Sequence, residues 1–442
     1  MLKLRSPAQP NLLREIFPYT TPPLAFFDSK CVRMRLPKEI FITDTTFRDG
    51  QQAREPYSVE QIRTLYEMLS ALGGKQGVIR QTEFFLYSRR DREAVAACMK
   101  AGLEYPRITA WIRAKEEDLQ LVKEMGIKET GMLTSCSDYH IYLKLKLDRR
   151  RAFEKYCGVV ESALTNDIIP RCHFEDVTRA DIRGFVIPFA RQLMDLSERY
   201  GMPVKIRLCD TLGVGLPYAE ACLPRSIPKL IRCMTKDAHV PSEWLEWHGH
   251  DDFGKAHINA VTAWLYGCSA ANGTLLGIGE RTGNSDIESL CIEYACIKGE
   301  GHGMRLEMIT EIARYFEKEI GVKIPPNRRF IGSEFNITRA GIHADGMLKG
   351  EEIYNAFDTR AVLGREPEVV ITDRSGAAGI VLWLRKNIES LKNGEVSIDK
   401  NDEGVQQIRK WIEEQYENGR ITPISREEML MLASAHLPEI FK

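Results

Sequence analysis

The chain lacks the features that would direct its 442 residues to a membrane, a nucleic acid or an oxidising compartment. No apolar run is long enough to cross a bilayer. Met1 to Pro10 is mixed and polar, so no signal peptide is expected. Charge of neither sign is in excess: 61 Lys and Arg stand against 62 Asp and Glu, and the net charge of -1 gives no reason to expect a polyanionic partner. The 11 cysteines are scattered, odd in number and contain no Cys-x-x-Cys pair. That excludes a compact disulfide framework and suits reduced thiols in a cytoplasm. A Walker loop, a dinucleotide fingerprint and low-complexity tracts are all missing.

What is present is a rhythm. After an irregular arm (residues 1–38) rich in proline, short β-branched runs alternate with longer stretches of helical periodicity. Strands are expected near 39–45, 77–85, 106–112, 128–134, 167–174, 203–209, 244–250 and 271–277. Helices are expected near 58–72, 90–102, 115–125, 138–165, 179–200, 217–235, 254–267 and 284–299. In the first helix Val59, Ile62, Leu65, Leu69 and Leu72 form an apolar stripe, Ser58 with Gln61 reads as a capping box, and Gly73-Gly74 as the stop. Eight strand–helix units in an unbroken series predict a (β/α)8 TIM barrel over residues 39–300, with a doubly wound open sheet as the competing architecture. Residues 301–442 change rhythm and read as a small, mostly helical C-terminal subdomain. It would have helices near 305–319, 350–357, 375–391, 402–417 and 425–436.

In such a barrel the active site lies where strands end, and polar clusters fall there. Strand 1 runs into Asp44-Thr45-Thr46-Phe47-Arg48-Asp49-Gly50-Gln51-Gln52, strand 5 ends in His173-Phe174-Glu175-Asp176, and strand 6 in Arg207-Leu208-Cys209-Asp210-Thr211. Strand 7 ends in His248-Gly249-His250-Asp251-Asp252, and strand 8 in Gly277-Ile278-Gly279-Glu280-Arg281-Thr282-Gly283-Asn284. On a strand, residues i and i+2 share one face, so His248 and His250 point the same way. Alone, that pair fits core or surface histidines as well as it fits a metal half-site. With Asp49 on a strand that closure makes a neighbour, it becomes an open site for a divalent metal. Arg48 would hold an oxygen as negative charge develops on it, or form a salt bridge at the rim.

These motifs resemble the 2-isopropylmalate synthase/homocitrate synthase family. Gly341-Ile342-His343-Ala344-Asp345-Gly346 matches a further motif beyond the barrel, and the likeness covers about residues 39–375. The family's fold is a metal-dependent TIM barrel that condenses acetyl-CoA with a 2-oxo acid and hydrolyses the thioester. The resemblance implies Asp49, His248 and His250 as metal ligands, with Asn284 as a fourth, the ion being Mn, Mg or Zn. It implies Arg48, Glu175, His343 and Tyr354 as catalytic groups. Thr211 would bind the oxo-acid carboxylate, and Gln52 of the first signature would also bind substrate. A homodimer is implied, with the subdomain of one chain serving the site of the other. The alternative for His343 is a helix-packing histidine.

The chain departs from the family at Asp251, where Asn is common, and at Gln51, where an acid is usual. It ends about where leucine-regulated synthases begin a regulatory domain, so feedback of that type is not expected. Arg207 and His173 share strand faces with Thr211 and Glu175, and a buried arginine needs an anion. The expectation is therefore that Arg207 and His173 meet the second carboxylate of a dicarboxylic 2-oxo acid. The strand-2 run Ile79-Arg80-Gln81-Thr82-Glu83-Phe84-Phe85 looks most like that of Re-type citrate synthases, which implies oxaloacetate. 2-Oxoglutarate (homocitrate synthase) comes next, then the 2-isopropylmalate or citramalate reactions. A lyase of the same barrel superfamily and a non-catalytic metabolite binder are the readings from other classes.

Overall fold

Eight short strands pair in chain order, and the last returns to the first. The computed structural model describes residues 2–394 and 397–441. The strands are β1 (Phe41–Asp44), β2 (Ile79–Phe84), β3 (Arg107–Arg113), β4 (Glu129–Ser135), β5 (Ile169–Glu175), β6 (Lys205–Asp210), β7 (Leu245–Gly249) and β8 (Ala270–Gly273). All pairings are parallel, and β1 against β8, with Phe41 opposite Ala270 and Asp44 opposite Gly273, closes the barrel. The intervening helices are α1 (Val59–Gly73), α2 (Arg89–Lys100), α3 (Glu116–Glu124), α4 (Arg149–Leu164), α5 (Ile187–Tyr200), α6 (Ile227–Arg232), α7 (Ala256–Tyr266) and α8 (Ile287–Lys298). The Ser58–Gln61 capping box and the Gly74 stop of α1 are both formed.

Beyond the barrel, the helix expected near 350–357 is only the short turn Glu351–Ile353, and the helix lies before it at Gly341–Lys349. Two expected barrel helices break. In 138–165 a helical turn (Tyr139–Lys144) ends at Lys146, whose φ of 56° cannot continue a helix, and Asp148 caps α4 afresh through the Arg151 N–H at 2.8 Å. Residues 217–226 form a loop in place of the start of a 217–235 helix. There Leu216 and Arg225 pair through their backbones at 2.7 Å, and the Arg225 side chain donates to the carbonyls of Val214, Pro23 and Leu24. Side-chain and arm contacts take the backbone partners a helix would have used.

The barrel unit, Met1–Leu306, and a second unit, Glu307–Lys442, are each compact. The second unit contains α9 (Met308–Tyr315), β9 (Ile337–Thr338), α10 (Gly341–Lys349), α11 (Thr359–Leu363), β10 (Glu368–Val369), α12 (Gly376–Asn387), α13 (Glu389–Lys392), α14 (Glu403–Glu417) and α15 (Arg426–His436). Its core gathers Ile380, Val381 and Leu384 of α12 with Ile408 and Ile412 of α14 and Met429 and Leu432 of α15. No helix among the described residues is long and apolar enough to cross a membrane.

The barrel interior is charged where such interiors are usually branched and aliphatic. Arg171 on β5 donates to Glu83 (2.7 Å), Glu129 (3.0 Å) and Gln81 (2.7 Å), while Lys205 on β6 reaches Glu129 at 2.6 Å. Arg207 on β6 binds Glu83 and Glu246, both at 2.9 Å. Small residues make the room: a Cβ on Gly131 would lie 2.5 Å from His173 Nε2 and 2.7 Å from Glu83 Oε2. Gly131→Ala should therefore cost about 1–3 kcal/mol through overpacking. Gly158→Ala, on the open face of α4 where nothing lies within 4 Å, should stabilise by about 0.5–1 kcal/mol. Urea midpoints of the two variants shifting in opposite directions is the expected result.

Candidate active site

Asp49 sits on the helical turn Thr46–Gly50 that follows β1, and this turn carries it over the barrel mouth beside β7. Its Oδ2 lies 3.9 Å from His248 Nε2 and 3.7 Å from His250 Nε2, and ligand atoms of the three residues all fall within 4.8 Å of one another. All three are buried. Burial pushes the His248 imidazole down to about 3, and it lowers His250 as well, so both rings are neutral. Burial alone would raise Asp49, but Arg48 and the two imidazoles hold its carboxyl below the ordinary range. A carboxylate and two neutral imidazoles are the protonation states metal ligation needs.

The site is oriented from behind. His248 Nδ1 is 2.7 Å from Asn272 Oδ1 on β8, and the Asn272 amide donates to Thr43 Oγ1 at 2.9 Å. The Thr43 hydroxyl in turn donates to Glu246. That chain puts the proton on Nδ1 and turns the Nε2 lone pair toward Asp49. Asn284 donates to Asp49 Oδ2 at 2.5 Å, and its Oδ1 is buried with no hydrogen-bond partner. An orphaned carbonyl oxygen beside a carboxylate and two imidazoles is the donor set of a divalent cation, and these four residues fit one. Gly279 leaves space for the Asn284 side chain, since a Cβ there would fall 2.8–3.0 Å from it.

Arg48 is buried, its Nε on Glu83 Oε1 and its Nη1 on Asp49 Oδ1, both at 3.0 Å, with Trp111 packed 5.7 Å from the guanidinium. The guanidinium is thus salt-bridged on both sides and lies beside the cluster. Glu175 ends β5 and accepts from Ser135 and Lys144 (2.9 Å), and the His140 Nδ1 lies 2.8 Å from it. Burial would raise its carboxyl, but the His140 contact, the charge on His140 and Lys144 bring it down to about 2. Thr211 is half-buried and its hydroxyl accepts the Asp176 N–H at 2.9 Å. Gln52 is exposed on the turn after Asp49.

Two expectations about the pocket need correction. Arg207 is fully buried, and its anions are Glu83 and Glu246 of the barrel itself, so no substrate carboxylate is needed to balance it. His173 is also enclosed, 3.3 Å from Glu83 and pushed down to about 3 by burial and by Arg207. Both lie below the mouth, inside the ion network. The i, i+4 relation to Thr211 placed Arg207 on the correct face but at the wrong depth.

The HMGL-like family pattern matches residues 39–315. The chain is 56% identical over 439 residues to the citrate (Re)-synthase of Syntrophus aciditrophicus, covering 99% of this chain and 70% of that protein. It is 50% identical over 440 residues to the citrate (Re)-synthase of Clostridium kluyveri, covering 100% and 97%. The chain belongs to the HMGL-like family. Among solved structures, the HMG-CoA lyase of Bacillus subtilis superposes with a TM-score of 0.52 at 20% identity, over 66% of this chain and 97% of that one, a likeness of fold.

Within the second unit of this HMGL-like protein, His343 lies on α10 and Tyr354 just beyond it, their rings 4.4 Å apart and both exposed. Gly346 allows that contact, since a Cβ there would fall 2.4 Å from the Tyr354 ring. Sequence reasoning missed Glu83, Asn272, His140 and Lys144 as parts of the site. The alternation Gln81, Glu83 on β2 was a usable signal, because two polar residues on the inward face of a barrel strand must find partners. The chain from Asn272 generates a testable expectation. Asn272→Ala should lower affinity for Mn or Zn about 10–100-fold, measured by titration calorimetry, with the unfolding midpoint as a control for the fold.

Proposed function

We propose that the protein condenses acetyl-CoA with oxaloacetate and hydrolyses the thioester formed, giving citrate and free CoA. The identity of 56% and 50% with two citrate (Re)-synthases over essentially the whole chain carries this reading, and the buried Asp49–His248–His250 cluster beside Arg48 supports it. Asp49, His248, His250 and Asn284 would hold a divalent cation, which would supply Lewis acidity to the carboxylate and keto oxygens of the 2-oxo acid.

The residues of the chain divide the remaining work. The Arg48 guanidinium is held on both sides by carboxylates, so it meets the keto oxygen without reorganising as that oxygen becomes an alkoxide. Thr211 binds the oxo-acid carboxylate. Glu175, held near 2, is a poor proton acceptor but a strong hydrogen-bond acceptor, and it orients the groups around it. Removal of the acetyl methyl proton falls to His343 with Tyr354, whose rings are already in contact. The enolate carbon then bonds to the keto carbon, the alkoxide takes a proton, and water cleaves the thioester to carboxylate and CoA thiol. The 11 cysteines are all unpaired, which supports a cytoplasmic location.

Thiol release from acetyl-CoA with a panel of 2-oxo acids tests the reading. Oxaloacetate should exceed 2-oxoisovalerate by about ten- to a hundred-fold in kcat/KM, with citrate as the product. Preference for 2-oxoisovalerate, or for 2-oxoglutarate, would replace the assigned substrate. The proposal also includes a homodimer in which His343 of one chain acts at the metal ligands of its partner. Mixing inactive His343→Ala with inactive His250→Ala protein, after subunit exchange, should restore partial activity. No recovery would mean that each site is complete within one chain.

A further inference from the structure

The N-terminal arm is the one long segment that the proposed reaction leaves without a task, and its contacts are not spread evenly over the barrel unit. Residues 5–14 converge on the turn Tyr139–Lys144, which carries both side chains that set the state of Glu175. The Asn11 N–H donates to Asp138 Oδ2 at 2.7 Å, the Tyr139 hydroxyl to the Leu12 carbonyl at 2.8 Å, and the Tyr142 hydroxyl to the Pro7 carbonyl. Arg14 lies 5.8 Å and Arg179 4.0 Å from the Tyr139 ring.

A buried arginine ties the arm to the barrel. Arg149, the first residue of α4, donates to both oxygens of Asp138 (2.7 and 2.9 Å), to Asp181 (2.8 Å) and to the Arg5 carbonyl (3.2 Å). The Arg5 N–H returns a bond of 2.8 Å to the Gly184 carbonyl, in the turn that Asp181 caps. Asp138, at the head of the turn, makes no capping bond within it, and its two oxygens are spent on Arg149 and on the arm. The turn is thus fixed at its N-terminal end by groups outside it.

We infer that the arm is a positioning element of the active site: residues 5–14 hold the turn that places His140 and Lys144 on Glu175. Its part in catalysis rests on the assignment of Glu175 to the reaction proposed above. The groups facing Glu175 are the Ser135 hydroxyl and Cys136 at the end of β4, His140 and Lys144 from the turn, Tyr156 on α4, Cys209 on β6 and Asp176 next in the chain. Lys144 is the cation among them, and the His140 ring lies 2.8 Å from the carboxylate. If the turn loosens, burial is left as the main influence on Glu175 and raises its carboxyl into the range where it takes up a proton during assay. The sign is definite. Loss of the arm moves the acid limb of the kcat profile to higher pH.

The test is the full chain with residues 2–14 deleted, read by hydrogen exchange of residues 137–148 and by the pH dependence of kcat and KM. Expected are faster exchange in that segment, a fall in kcat of about ten- to a hundred-fold larger than any change in KM, and the shifted acid limb. A synthetic peptide of residues 2–14 added in trans should reverse all three. Should the deletion not fold, the double variant Tyr139→Phe/Tyr142→Phe removes two of the tethers and should move each quantity in the same direction by less. Unchanged exchange in 137–148 overturns the inference, and so does faster exchange with kcat and its pH profile unaltered. The two readings fail separately: a wild-type enzyme that releases no thiol sinks the condensation, while exchange still reports on the arm.

Discussion

Every charge inside the barrel must be paired, because an ion left alone in a closed interior costs several kcal/mol. Glu83 is the residue on which this requirement converges. One of its oxygens takes Arg48 and Arg207, the other Arg171, and His173 lies against it as a neutral ring. Arg48 is therefore positioned by the floor of the barrel as much as by its own loop, and Asp49 is positioned by Arg48. A second line runs from Arg207 through Glu246, Thr43 and Asn272 to His248. Two of the three residues in the metal cluster are thus oriented by the same buried ions. An apolar interior would give comparable stability but would fix none of these directions.

Much of this fold was legible because barrel strands and helices announce themselves by period. All eight strands were expected within about two residues of their starts. β8 stops early, at Gly273, because the chain turns at Leu276, whose φ of 58° no strand can hold. The barrel helices failed at two places, after Asp138 and after Pro217, where side chains from distant segments take over backbone groups. No local pattern reports such a partner. The cluster of Asp49, His248 and His250 was legible for the opposite reason. Its three members lie at strand ends, and a closed barrel brings its first and seventh strand ends within reach of each other.

What the pattern left out was depth. Arg207, His173 and Glu175 all lie on inward faces, as alternation required, yet the first two belong to the floor and only the third reaches the mouth. A period of two gives the face of a residue and is silent about its layer. Glu83 was passed over as well: its alternation with Gln81 marks a need for partners, but not that three arginines, from the turn after β1, from β5 and from β6, will meet it.

The correction at Arg207 changes the reason for expecting a dicarboxylic substrate, and another reason takes its place. In direct ion contact at the mouth and floor are four carboxylates, Asp49, Glu83, Glu129 and Glu246, and four cations, Arg48, Arg171, Lys205 and Arg207. They cancel, and His173, His248 and His250 are held neutral. A divalent cation on Asp49 would add two positive charges to a cluster shielded from water. A monocarboxylic 2-oxo acid removes one of them, while a dicarboxylic one removes both. At the low effective dielectric of such a site an uncancelled charge is expensive. The argument for oxaloacetate over a branched 2-oxo acid is then a balance of this eight-member ion network, with no single arginine set aside to receive it.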